Sequence, residues 1–261
     1  MKKISLLTLA LLSLANLFAQ TDMVIRKSNQ STIAVPISEI DSMYYEDNSN
    51  VTLTDIDGNT YNTVQIGTQV WMAENLKVTH YPNGDAIPFI TNNTAWGDLA
   101  DDNTSDAYSY YNNNANSEAD TYGALYTYAA AIGDNWERDN VENQGVCPDG
   151  WHLPTDADWT TLSNYLGGQI VAGGKMKEIG TTHWSSPNEG ADNSSGFSAL
   201  PSGNRNYYGS FNYLGYDGRW WSATEDDINH AYYRGLDCDI AAVNHLSDNK
   251  SFGLSVRCVK D

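Results

Sequence analysis

The stretch of sequence that says most about the fold is 145–155, which reads GVCPDGWHLPT. Its last residue, Thr155, predicts the N-cap of a helix, because Asp158 follows at the capping-box position. The apolar residues after it recur at helical spacing and predict the buried face of that helix: Trp159, Leu162 and Leu166. Two glycines at 167–168 then end it. The stretch therefore predicts a helix directly after a Trp-His-Leu-Pro motif.

The N-terminus predicts a signal peptide over residues 1–19. Lys2 and Lys3 form a short basic region, 4–14 is apolar, and 17–19 reads Leu-Phe-Ala before Gln20. The apolar run is too short for a membrane span, and no later segment approaches eighteen apolar residues. We expect a secreted protein, extracellular or on the cell surface, with the periplasm as the alternative.

Two units are predicted after the leader. Residues 20–50 contain two candidate strands, 23–27 and 32–36, around a polar turn, and they read as a small β-hairpin module. The polar run 47–50 marks the boundary. Residues 51–261 read as one further domain.

The larger domain has the pattern of an α+β fold with short, mostly antiparallel strands, two helices and long loops. The turn pair Asp57-Gly58 predicts a hairpin between 51–53 and 61–66, and 70–76 is apolar enough to enter the core. A first helix is predicted over 122–132, ended by Gly133. Later strands are predicted at 196–201, 219–224, 230–236 and 251–259. Residues 92–120 read as a polar segment in which the tyrosines at 108, 110 and 111 pack down.

Charge excludes several classes of partner. The formal net charge is -19, and it falls to near -21 once Lys2 and Lys3 leave with the leader. Such an acidic surface repels nucleic-acid backbones and anionic membranes. The 8 tryptophans and 17 tyrosines argue against a disordered chain.

The cysteines predict one structural bridge. The chain after the leader has Cys147, Cys238 and Cys258, which allow one disulfide and leave one thiol, and the residues alone leave the pairing open. None has the spacing of a metal site or of a Cys-x-x-Cys redox pair, so no metal ligand is predicted among them.

Six motifs together resemble the Fibrobacter succinogenes major paralogous domain, an exported bacterial module of no established biochemical activity. Besides 145–155, they read DIDGNTY at 55–61, QVWMAENL at 69–76, GFSALPSG at 196–203, WWSATE at 220–225 and SVRCVK at 255–260. The resemblance covers residues 51–261. The 23–45 stretch also resembles a short leader module that precedes such domains in Bacteroidetes proteins.

The resemblance implies a C-type-lectin-like fold and a disulfide between Cys147 and Cys258. Cys238 departs from the pattern of the relatives and is expected to be a free, partly buried thiol. The resemblance implies no catalytic residues.

The residues favour a non-catalytic binding or adhesion module, expected to be a monomer, for neutral polysaccharide or a cell-surface protein. The alternative is a hydrolase or oxidase on a lectin-like scaffold. The five histidines lack pair spacing, and His152 is read as a structural hydrogen-bonding residue. The predicted ligand-binding residues comprise aromatic rings for stacking on sugars and two polar partners: Arg205, Tyr207, Tyr208, Trp220, Trp221 and Glu225. Since side chains alternate along a strand, one of Trp220 and Trp221 is expected to be exposed.

No cofactor is predicted, and calcium is the one metal considered. Four carboxylates crowd one polar loop: Asp98, Asp101, Asp102 and Asp106. Calcium could relieve their mutual repulsion, but a solvated, disordered loop is the preferred interpretation.

Overall fold

The computed structural model describes residues 22–26, 32–36, 52–101, 104–116, 118–133 and 144–261. The chain divides into two compact units, Met1–Asn50 and Val51–Asp261. The predicted signal peptide, 1–19, lies outside the described residues. No helix within the described residues is long and apolar enough to cross a membrane.

The described residues contain short strands and five α-helices. The strands are β1 (Asp22–Arg26), β2 (Thr32–Pro36), β3 (Thr52–Thr54), β4 (Thr60–Ile66), β5 (Gln69–Met72), β6 (Tyr108–Ser109), β7 (Leu125–Tyr126), β8 (Trp151–His152), β9 (Asn204–Arg205), β10 (Phe211–Asn212), β11 (Asp217–Glu225), β12 (His230–Asp237), β13 (Asn244–Asn249) and β14 (Val259–Lys260). The helices are α1 (Asn93–Gly97), α2 (Glu118–Tyr122), α3 (Tyr128–Ile132), α4 (Asp156–Tyr165) and α5 (Gln169–Met176). The fold is therefore mixed α and β, with short antiparallel strands as expected.

In the first unit, β1 and β2 pair antiparallel as a hairpin, with Val24 opposite Ala34. In the second unit, a five-stranded sheet has the order β3-β4-β5-β14-β8, so strands from both ends of the unit meet in its middle. A three-stranded antiparallel sheet follows the order β11-β12-β13. Two small pairs, β6-β7 and β9-β10, complete the pairing among the described strands.

The capping box predicted at the start of α4 is confirmed. Thr155 accepts a hydrogen bond from the backbone N–H of Asp158, and the Asp158 side chain accepts one from the backbone of Thr155. His152 lies beside this cap, with its Nδ1 2.7 Å from Asp261 and its Nε2 3.5 Å from Asp158. The hydrogen bond with Asp158 raises the pKa of His152 against the opposing effect of burial. The structural role predicted for His152 fits these contacts.

The predicted disulfide is present between Cys147 and Cys258, which lie 111 residues apart in sequence. It ties the segment before β8 to the segment before β14, and both cysteines are fully buried. Cys238 is a free, buried thiol. Burial and the neighbouring carboxylates of Asp239 and Asp237 raise the pKa of this thiol to about 11.

Several predicted elements are wrong, because periodicity does not show where the chain turns or where it pairs with a distant segment. The helix predicted over 122–132 is instead α2, β7 and α3. Gly123 takes a left-handed φ of 74°, and Thr127 caps a new helix by accepting from Ala130 N. No strand forms at 196–201, where Ser198 is left-handed at φ 54°. Of 251–259, only its end belongs to a strand, β14.

The expectation that Trp220 or Trp221 is exposed is also wrong. Both side chains are 0% exposed. The alternation along β11 does send them to opposite faces, but each face is covered by a different core cluster. Trp221 donates to the carbonyl of Tyr126 at 2.9 Å, whereas Trp220 donates to Asn75 Oδ1 at 2.8 Å. A sheet packed on both sides leaves neither ring for a ligand.

Helix α5 was not predicted, and its two central glycines explain why. Gly173 and Gly174 lower helix propensity. A Cβ at Gly173 would lie 2.4 Å from the carbonyl oxygen of Ala242, and one at Gly174 would lie 2.3 Å from that of Gly190. The glycines therefore permit close backbone packing that the sequence pattern does not reveal.

Candidate functional site

The predicted ligand-binding residues do not form one site. Arg205 is buried, with its guanidinium 4.2 Å from the ring centroid of Trp96 and 4.7 Å from that of Phe211. It donates to the carbonyls of Ile90 and Thr91, so it fixes the segment before α1. With Trp220 and Trp221 buried as well, three of the six residues support the fold from inside.

Three of the exposed aromatic residues lie on one segment, 206–216, which we call the tyrosine loop. It carries four tyrosines: Tyr207, Tyr208, Tyr213 and Tyr216. Tyr208, Tyr213 and Tyr216 are 67%, 56% and 57% exposed. Tyr207 and Tyr208 contact each other at the tip of the β9-β10 hairpin, with ring centroids 3.9 Å apart. The tyrosine loop therefore carries three aromatic side chains that are more than half exposed.

A buried charge cluster supports the second half of the tyrosine loop. Arg219 lies 5.5 Å from the ring centroid of Tyr213 and 5.4 Å from that of Tyr233. Its Nη2 pairs with Asp217 Oδ2 at 2.8 Å, and its Nη1 is 3.7 Å from Asp248. Burial raises the pKa of Asp217 to about 6 despite this pairing. The cluster holds the base of the loop in place.

Glu225 lies apart from these tyrosines in its contacts. It ends β11, and its Oε1 pairs with Lys250 Nζ at 2.7 Å. This contact explains the carboxylate without a ligand.

Three of the sequence motifs converge on a cavity of about 200 Å³, which we call the motif cavity. Its charged lining residues are Glu74, Lys77, Asp120, Glu178 and Arg257, and Asn75, Ser198 and Leu200 also line it. The lining thus includes residues from three motifs, QVWMAENL, GFSALPSG and SVRCVK. Lys77, which directly follows the first of these motifs, lines it as well. Sequence reasoning missed this cavity as a site, although it singled out the motifs.

Asn75 joins the motifs around this cavity. Its Oδ1 accepts from Trp220 Nε1 and from Arg257 Nε, both at 2.8 Å. Its Nδ2 donates to the carbonyl of Tyr122 at 2.9 Å and to Ser255 Oγ at 3.3 Å. One buried amide therefore uses its donors and its acceptor to hold three parts of the chain, at Tyr122, at Trp220 and at 255–257.

Arg257 is a buried cation without an ion-pair partner among the described residues. Its guanidinium donates to Asn75 Oδ1, to the carbonyl of Phe197, and to that of Ser198 at 3.0 Å. Burial lowers its pKa to about 9, and the negative charge of Glu74 opposes this shift. A guanidinium carries five N–H groups, so donors remain beyond these three bonds.

The motif cavity and the tyrosine loop are neighbours in the fold. Glu178 lines the cavity and pairs with His183 Nδ1 at 2.8 Å. Two residues later, Ser185 N donates to the carbonyl of Gly215 in the tyrosine loop at 2.6 Å. Gly215 N donates in turn to Pro201, which follows the cavity residue Leu200. Backbone hydrogen bonds thus join the cavity rim to the loop.

A larger cavity, about 300 Å³, lies against the β3-β4 turn. His80 lines it, and His80 Nδ1 is 2.6 Å from Asp57 Oδ1. Asp57 Oδ2 also accepts from the backbone and the hydroxyl of Thr79, at 2.6 and 2.8 Å. Burial alone would raise the pKa of Asp57, but these hydrogen bonds lower it. This pair places a histidine that is held by a carboxylate at the edge of a cavity.

Two places in the chain gather side chains of the kinds that ligate metals. Asp237, Cys238 and Asp239 offer ligand atoms within 4.8 Å of one another, and the thiol of this group is buried with a raised pKa. Of the carboxylates considered for calcium, Asp102 and the side chain of Asp101 lie outside the described residues. The calcium hypothesis remains a prediction.

The sequence matches one known protein family over most of its length. Residues 64–260 match the family described as the Fibrobacter succinogenes major domain. The chain belongs to this family. No curated protein and no solved structure matches it. The family match spans the motif cavity and the tyrosine loop, and it includes the disulfide.

Proposed function

We propose that this member of the Fibrobacter succinogenes major domain family is an exported, non-catalytic module that binds neutral polysaccharide. The observation that carries the proposal is the tyrosine loop, where three tyrosine rings are more than half exposed on one short segment. Exposed rings stack on the apolar faces of sugars at low entropic cost. A short β-hairpin and the Arg219 cluster hold this segment, so the rings start close to a fixed geometry.

The charge of the chain supports an uncharged ligand. A net charge of -19 repels polyanionic glycans, and salt only screens that repulsion. Stacking on tyrosine carries no such penalty. A protein on a cell or fibre surface is the other partner that this loop could take, and the experiment below separates the two.

The C-type-lectin-like assignment and export belong to the same proposal. The long-range disulfide, the sheet that joins both ends of the unit and the irregular segments between them support the lectin-like assignment. The disulfide and the predicted leader support export, because such bridges persist in oxidising compartments.

The catalytic alternative would use His80 and Asp57. A histidine oriented by a carboxylate at a cavity can act as a general base toward water. A hydrolase of this kind would lose its activity on His80→Ala substitution, so any hydrolysis of a glycan or ester panel that survives this change excludes His80 as the base.

A glycan array of neutral and anionic chains, followed by titration of the best ligand, tests the proposal. Tyr208→Ala and Tyr216→Ala should each weaken binding about 3- to 10-fold, the loss expected for one stacked ring. Tyr165→Ala is the matched control, because Tyr165 is 66% exposed on α4, outside the loop. Equal effects of all three variants, or capture of proteins alone, would reject the proposal.

A further inference from the structure

We propose that the motif cavity binds the terminal unit of the same neutral glycan, while the following units cross the tyrosine loop. This inference rests on the proposed function and adds a second, chemically different subsite to it. It assigns the cavity to a single uncharged, polyhydroxylated ring.

The buried guanidinium is the first argument. Arg257 is 1% exposed and lines the cavity, yet none of the described carboxylates forms an ion pair with it. Burying a cation is costly unless it is hydrogen-bonded on all sides. Three of the five guanidinium N–H groups form the hydrogen bonds already described. A ligand oxygen in the cavity would accept a hydrogen bond from one of the other two.

The mixed charge of the lining is the second argument. Lys77 and Arg257 carry N–H donors, whereas Glu74, Asp120 and Glu178 carry carboxylate oxygens that accept. A ligand carboxylate would meet these three carboxylates, and a ligand ammonium would meet Lys77 and Arg257. A hydroxyl both donates and accepts, so several hydroxyls on one ring satisfy both kinds of group without a net charge.

The size and position of the cavity give the third argument. Its volume, about 200 Å³, is below the range typical of drug-sized ligands and suits one small ring. The Ser185–Gly215 and Gly215–Pro201 hydrogen bonds connect its rim to the tyrosine loop. We place the following units beside Tyr213 and Tyr216, because these bonds make the tyrosine loop the neighbour of the cavity rim.

The test uses nuclear magnetic resonance of the full chain with glucose, galactose, mannose and xylose. The reporter is the Trp220 indole N–H, which is bonded to Asn75 at the cavity and can be assigned with Trp220→Phe. At least one of the four sugars should shift this signal in a saturable way. Glu74→Gln and Glu178→Gln should each weaken that sugar about tenfold, because each removes a charged hydrogen-bond acceptor.

Glu225→Gln is the matched control, since its carboxylate pairs with Lys250 away from the cavity. Tyr216→Ala should leave the single sugar unaffected and weaken only oligomers. No shift with any of the four sugars, a shift with glycine or acetate instead, or wild-type affinity in both glutamine variants would overturn the inference. If the cavity variants behave as wild type while the tyrosine variants lose polymer binding, the cavity assignment fails and the proposed function stands. If monosaccharides bind but no polymer does, the proposed function fails instead.

Discussion

Removing the Cys147–Cys258 disulfide should cost the protein much of its stability. The bridge closes a loop with a sequence separation of 111 residues, and the chain-entropy relation then gives ~4.8 kcal/mol at 25 °C. For a domain of this size, that loss lowers Tm by about 10–20 °C. Both cysteines are buried, so the small loss of packed sulfur adds to the effect rather than offsetting it.

The double variant Cys147→Ala/Cys258→Ala is the correct perturbation, because a single replacement leaves a thiol that could pair with Cys238. Urea unfolding gives the free energy and the m-value, and Cys238→Ala is the control, expected to lose well under half as much. Peptide mapping without reduction should recover Cys147 linked to Cys258, with Cys238 alkylated. A loss below ~1.5 kcal/mol at an unchanged m-value would refute the loop-closure argument.

The remaining predictions concern the cavity framework and the α4 cap. Asn75→Ala should destabilise the protein by ~2–4 kcal/mol in urea unfolding, because it leaves the Trp220 and Arg257 donors buried without their acceptor; a loss no larger than that of an exposed Asn116→Ala change would contradict this. Burial alone would raise the pKa of Asp158, but hydrogen bonds from His152 and Thr155 lower it to about 2. This low pKa stabilises the folded state above the unfolded pKa near 3.8, and the stabilisation is lost as the pH falls through about 2. Asp158→Asn should therefore flatten the decline in the free energy of unfolding between pH 4 and pH 2. An unchanged decline would reject the assignment.

Local signals in the sequence predicted part of the fold correctly. Thr155 and Asp158 specify the start of α4 through their own hydrogen bonds, so three residues of spacing suffice. Asp57-Gly58 specifies the β3-β4 turn in the same way, since Gly58 takes a left-handed φ of 84°. Such elements depend on neighbours along the chain, which is why one sequence is enough.

Elements that depend on distant contacts were not predictable. Periodicity continued a helix through Tyr126, whereas the Tyr126 backbone bonds to Leu254 in both directions. The sequence correctly predicts that Trp220 and Trp221 face opposite sides of β11. It does not predict that a second core cluster covers the outer side. The glycines of α5 are needed only because Gly190 and Ala242 approach it.

The candidate site divides in the same manner. The tyrosine loop could be found from composition, because several tyrosines fall within eleven residues. The motif cavity could not, because Glu74, Glu178 and Arg257 lie far apart in sequence and meet only in the fold. The motifs identify the family resemblance, but they do not show that three of them line one cavity.

The salt dependence of glycan binding tests the central claim most directly. The full chain and Tyr208→Ala are titrated with the best neutral polysaccharide and with heparin, at about 50 mM and 500 mM salt and with a chelator present. We predict binding to the neutral chain that changes less than about twofold with salt and weakens in the variant. Tight binding to heparin that is lost as salt rises, with Tyr208→Ala equal to wild type, would contradict the account.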